Sequence, residues 1–167
     1  MSEIKQLTPQ QLGAFIDKTV QMDVPYSPVH DQVGALVCVS AIDAYVRTKV
    51  FNYHTFRHHQ VRPVLRTPLE VTDEEWVVFF GNSITVDRDA NCTQITLPYQ
   101  DGKRTGKMSY LIFQNGEMSS MEYSDQLCEL HAPLAWASLI DYLRSISVDC
   151  NGWIQQGLAV HAQPDKP

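Results

Sequence analysis

One long interval of the chain has no acidic side chain at all. Between Asp43 and Glu70 there is no Asp or Glu, although the 167 residues hold 19 of them against 13 Lys and Arg, a net charge of -6. Long apolar runs are missing too. No window reaches the roughly 18 uncharged apolar residues that a membrane-spanning helix needs, and the opening MSEIKQLTPQQ has no apolar signal-peptide core. The expectation is a protein without a membrane span that works in the cytoplasm. Cysteine is sparse: Cys38, Cys92, Cys128 and Cys150 stand far apart, with no CxxC or Cys/His ligand spacing. That pattern excludes a zinc-ribbon framework and reads as reduced thiols in a reducing compartment. No metal or cofactor is expected.

Catalytic signatures are also missing. There is no GxSxG, no dinucleotide fingerprint and no carboxylate pair at a recognisable spacing. Gly102-Lys103-Arg104-Thr105-Gly106-Lys107 has its glycines too close for a phosphate-binding loop, and its surroundings read as a hairpin rather than strand-to-helix. Cys128 and His131 are near in sequence, but a thiol–imidazole dyad is a spatial relation that spacing does not establish. No catalytic residue is assigned.

What is present is the basic interval. It holds Arg47, Lys49, Arg57, Arg62 and Arg66, with His54, His58 and His59. An interval of one sign either meets acidic groups of the same protein, such as Asp73-Glu74-Glu75 just beyond it, or attracts an anionic partner. Arg57, Arg62 and Arg66 interleave with Phe51, Tyr53 and Phe56, and arginine beside aromatic rings suits both protein hot spots and phosphate recognition. The partner-binding residues expected from this pattern are Tyr53, Phe56, Arg57, Arg62 and Arg66, facing a protein partner of acidic character. A nucleic acid or small anion ranks second. On a helix His54 and His58 would share a face and could hold a divalent metal, with His131 or Asp43 brought in. A bare HxxxH lacks the Glu of a zinc hydrolase, so the histidines are read as surface groups of the basic interval.

The local patterns predict an α+β fold with N-terminal helices, an antiparallel meander of four to five strands and a C-terminal helix packed on the sheet. Thr8-Pro9-Gln10-Gln11 opens a helix with a capping box, and Leu12, Phe15, Ile16 and Val20 recur at helical spacing. A longer helix is expected over 29–52, against a strand reading supported by the alternation of Val37, Val39 and Ala41. The meander is expected over 70–123, beginning with the aromatic run Trp76–Phe80. Its hairpin over 107–123 turns at Asn115-Gly116, a pair suited to a type I′ turn. The closing helix begins near Pro133 and carries Trp136, Leu139 and Leu143. A single domain over 1–154 and a mobile tail over 155–167 complete the expectation. The function that fits is a small non-catalytic binding protein of inhibitor, immunity, adaptor or chaperone type. Two alternatives stand beside it: a binder of an anionic ligand or nucleic acid through the basic 47–66 interval, and a small enzyme with a His-based site.

Overall fold

A computed structural model describes residues 6–49, 53–101, 104–124 and 136–163. The fold is mixed α+β, with one sheet of six strands, one of four, and few helices among the described residues. The chain divides into two compact units, residues 1–65 with 153–167 and residues 66–152. Among the described residues no helix is long and apolar enough to cross a membrane.

The first unit opens with α1 (Pro9–Gly13). Its capping box forms as the sequence predicts: the Thr8 hydroxyl accepts from the Gln11 backbone at 3.2 Å, and the Gln11 amide oxygen accepts from the Thr8 backbone at 2.9 Å. The helix is shorter than its spacing suggested. Asp17 takes a φ of 66°, Ile16 is 42% exposed, and Val20 is buried in a strand instead.

Six strands follow: β1 (Thr19–Met22), β2 (Val33–Val39), β3 (Asp43–Arg47), β4 (His54–Arg57), β5 (Val61–Leu65) and β10 (Val160–His161). Their order across the sheet is β10-β5-β1-β2-β3-β4, antiparallel except for β10 on β5. The helix expected over 29–52 is therefore incorrect: the described part of that stretch is the end of the β1–β2 connection followed by the β2–β3 hairpin. Its β-branched content suits a pleated surface. A bulge after Leu36 explains the misleading spacing, because the register passes from Leu36↔Val46 to Cys38↔Tyr45 and Val39↔Ala44. Leu36 and Val39 then both reach the core, three residues apart as on a helix. Residues 155–163, read as the start of a tail, include β10.

The core of this unit lies on one face of the sheet. Phe15, Val20, Met22, Leu36, Val46 and Leu65 are almost fully buried, and the Phe15 ring meets Trp153 edge-on at 5.6 Å. Each such side chain contributes about 1.5–3 kcal/mol by leaving water.

The second unit begins with α2 (Asp73–Phe80), which corrects the expectation of a strand at Trp76–Phe80. A capping box decides it: the Thr72 hydroxyl accepts from the Glu75 backbone at 3.3 Å, and the Glu75 carboxylate from the Thr72 backbone at 2.9 Å. Asp73, Glu74 and Glu75 also suit the positive end of the helix dipole. The meander differs from the expected 70–123. It comprises β6 (Thr85–Arg88), β7 (Cys92–Asp101), β8 (Arg104–Phe113) and β9 (Met118–Ser124), paired antiparallel in chain order. α3 (Trp136–Ser145) buries Leu139 and Leu143 in the same cluster as Trp76, Ile95 and Ile112. Pro133, where this helix was expected to start, lies outside the described residues.

The β8–β9 hairpin is present, but its turn is not type I′. The Gly116 N–H donates to the Phe113 carbonyl at 2.9 Å and the Phe113 N–H to the Glu117 carbonyl at 2.9 Å. Only Gly116, at φ 85°, has positive φ in the turn. That is a type I turn closed by a glycine bulge, the usual form of a three-residue loop.

Candidate functional site

Strand alternation in the first unit sorts its side chains onto two faces. In β5, Val61, Pro63 and Leu65 are buried, so Arg62 and Val64 point the other way. In β4, Phe56 is buried while Thr55 and Arg57 are exposed. Directly paired residues share a face, and the registers Gln21↔Arg62, Gln21↔Val33, Ala35↔Arg47, Tyr45↔Thr55 and Asp43↔Arg57 extend this second face across five strands. Tyr53, just before β4, is 63% exposed and falls in the same alternation; Val33 is 56% exposed. The outer face therefore presents Tyr45, Tyr53, Val33, Arg47, Arg57 and Arg62, opposite the core.

Two of the three arginines of this face, Arg57 and Arg62, have carboxylates beside them. Arg57 Nη1 lies 3.1 Å from Asp43 Oδ1, and Arg62 pairs with Asp23. Asp23 and Asp31 also flank the His30 ring, at 3.6 and 3.5 Å, and the Gln21 amide donates to Asp31 Oδ1 at 2.8 Å. Surface pairs of this kind contribute little stability, about 0–1 kcal/mol each. Their larger effect is to balance the charge that the sequence segregates.

The five expected partner-binding residues are thus divided. Tyr53, Arg57 and Arg62 share the outer face. Phe56 does not belong with them: it is 7% exposed and sits in the core, because alternation turns it away from its neighbours. Arg66 belongs to the second unit. Its guanidinium forks onto Glu75 at 2.8 and 3.1 Å and donates to the Ile146 carbonyl at 3.0 Å. That fork holds the Glu75 carboxyl below the usual carboxylate range, against the opposing pull of burial. Phe51 lies outside the described residues. Tyr45 and Val33 were not among the expected site residues, because the signal that finds them is a strand alternation hidden under the helix reading.

The histidines are not arranged on a helix. His54 lies in β4, its ring 5.8 Å from that of Phe56. His58 is buried in the 3₁₀ turn His58–Gln60, with Nε2 3.1 Å from the Ser40 carbonyl. The shared helical face on which a His54/His58 metal pair depended does not exist. Among the described residues no three His, Cys, Asp or Glu side chains are grouped so as to hold a metal. Cys128 and His131 lie outside the described residues.

In the second unit, Gly116, Met118, Trp136, Ile140 and Cys150 line an apolar recess of about 280 Å³. Burial pushes the Cys150 thiol up to about 12, with Arg144 opposing and Asp149 adding. A thiol held there is protonated at neutral pH and is no nucleophile. Comparison with protein-family models, with curated proteins and with solved structures finds no match.

Proposed function

We propose that the protein is a non-catalytic binding protein that acts through protein–protein contact at the outer face of the six-stranded sheet. The observation that carries the reading is Tyr53, 63% exposed on the face that also presents Tyr45, Arg47, Arg57 and Arg62. Aromatic and arginine side chains on a rigid, flat element are the residues that dominate protein interfaces. Charge pairing refines the expected partner. Because Arg57 and Arg62 already meet Asp43 and Asp23, two of the three arginines named on the face are not left to attract a polyanion, and a partner of mixed charge fits it.

The test is capture from native lysate by the immobilised chain, with mass spectrometry of what is bound. Tyr53→Ala combined with Thr55→Arg, both at exposed positions, should cut capture of one stoichiometric protein by about tenfold or more, the range of a hot-spot loss. The thermal midpoint should stay in place. Capture that survives the double variant removes the proposed surface, and recovery of nucleic acid in place of protein turns the reading to the anionic-ligand alternative.

A further inference from the structure

The outer face ends at the connection between β1 and β2, residues Asp23 to Gln32, and this connection is closely built. At its neck the Asp31 N–H donates to the Met22 carbonyl at 2.8 Å and the Met22 N–H to the Gln32 carbonyl at 2.9 Å. Inside it the His30 N–H donates to the Ser27 carbonyl at 3.0 Å, and the Gln32 amide to the Pro28 carbonyl at 2.7 Å. Val24 and Val29 pack against the core of the unit. Arg62 and Gln21, both outer-face residues, hold Asp23 and Asp31 at the two ends. Compact loops closed by their own side chains in this way are frequently functional.

At the tip stands Tyr26. It is fully exposed, at 106% of its reference area, and its φ is 65°. A bulky aromatic residue at positive φ is an outlier, and its backbone strain costs about 1–3 kcal/mol. An exposed ring returns no packing energy to offset that strain. Pro25 and Pro28 restrict the backbone on either side. A strained backbone that holds an aromatic ring out into solvent, on a loop clamped at both ends, is a contact whose backbone ordering entropy is already lost before binding.

We infer that Tyr26 is the anchor by which this protein docks on its partner, placing the ring in an apolar, aromatic-sized cavity of a folded protein with a hydrogen-bond acceptor for the phenol. The inference rests on the protein-binding reading above and adds the residue and the partner's chemistry. Charge decides the partner's class. The chain carries a net charge of -6, which disfavours a nucleic acid or an anionic membrane as the partner, whereas Asp23 and Asp31 at the base of the loop add little to that field. Both carboxylates are already engaged by Arg62, His30 and Gln21, so the partner needs no basic patch to match them.

The experiment compares Tyr26→Ala, Tyr26→Gly, Tyr26→Phe and the Tyr53→Ala/Thr55→Arg double variant. Each is immobilised as full chain against the same native lysate, and each has its thermal midpoint measured. Tyr26→Ala and Tyr26→Gly should lower capture of one protein about tenfold or more, Tyr26→Phe should lower it less, and Tyr26→Gly should keep or raise the thermal midpoint because the strain is relieved. Capture unchanged by Tyr26→Ala but lost in the double variant overturns the anchor and leaves the sheet-face reading standing. Capture lost only on changing Tyr26 keeps the anchor and overturns the sheet face. Capture unchanged in all variants, or recovery of nucleic acid alone, overturns both. A lowered midpoint in Tyr26→Gly also overturns the anchor, since it would mean that the ring serves the fold.

Discussion

Gly116 allows two physical effects to be separated by experiment. Its φ of 85° costs an L side chain about 1–2 kcal/mol. A Cβ at this position would also stand 2.7 Å from the Cys150 carbonyl carbon, 2.8 Å from its oxygen and 3.0 Å from the Asn151 nitrogen. Those atoms are backbone, so no rotamer change relieves the contact, and overpacking of this kind costs roughly 1–3 kcal/mol. Gly116→Ala should therefore lose about 2–5 kcal/mol, a large part of the 5–15 kcal/mol that holds a domain folded. Urea unfolding followed by tryptophan fluorescence, to which the fully buried Trp76 of the same unit contributes, should show a midpoint lowered by about 1 M or more at unchanged slope. Two controls isolate the causes. Gly157, at φ 71° with nothing within 4 Å of its would-be Cβ, should lose only the conformational part when changed to Ala. Gly116→Asn keeps a side chain that tolerates positive φ but not the clash, so it should remain strongly destabilised. A Gly116→Ala loss no larger than that of Gly157→Ala, or a Gly116→Asn variant near wild type, would refute the close approach of the hairpin turn to Cys150.

Other outcomes follow from the same geometry. Gly34→Ala should destabilise by about 1–3 kcal/mol in chemical unfolding, because its Cβ would meet the Arg47 carbonyl oxygen at 2.6 Å across the β2–β3 pair. The Glu75 carboxyl is held low in the folded state, so its contribution is present above the unfolded carboxyl range near 4.5 and is lost as pH falls through the folded value. Glu75→Gln should accordingly flatten the acid side of the stability–pH curve, and an unchanged slope would remove the Arg66–Glu75 fork as its cause. Peptide-mapped thiol labelling of the native protein should modify Cys38 quickly, while Cys92 and Cys150 wait for unfolding, because the first is exposed and burial raises the other two.

The sequence read well where local chemistry alone decides structure. The Thr8 capping box needs only a hydroxyl and an amide three residues apart, and it formed. The β8–β9 hairpin needs two alternating runs and a residue that accepts positive φ, and it formed around Gly116. Reading failed where a nonlocal arrangement imitated a local one. The bulge at Val37 set Leu36 and Val39 on one face at a helical interval, and the hairpin turn at Ser40–Asp43 hid the change of strand. At Trp76–Phe80 the composition favoured a strand, yet Thr72 and Glu75 had already fixed a helix start that was legible in the sequence and not used. Half of the candidate surface was hidden for the same reason. Tyr45 and Val33 belong to the outer face only because their stretch is strand.

The basic interval shows why linear charge is a poor guide to surface field. Along the chain Arg57 and Arg62 have no acidic neighbour between Asp43 and Glu70. Across the sheet, β4 lies beside β3, which places Asp43 directly opposite Arg57. Likewise β5 lies beside β1, whose following residue Asp23 reaches Arg62. Antiparallel pairing brings together residues that are distant in sequence, so segregation in one dimension becomes alternation in three. A charge reversal of Arg57 and Arg62 therefore acts twice: it sets like charges against Asp43 and Asp23, and it alters the outer face. Stability and binding would fall together in such a variant and could not be separated. Tyr53 and Thr55 are the better probes, because they share the face without sharing its ion pairs. If they and Tyr26 carry recognition, association should change little with added salt, since screening weakens exposed charges and leaves aromatic burial almost untouched.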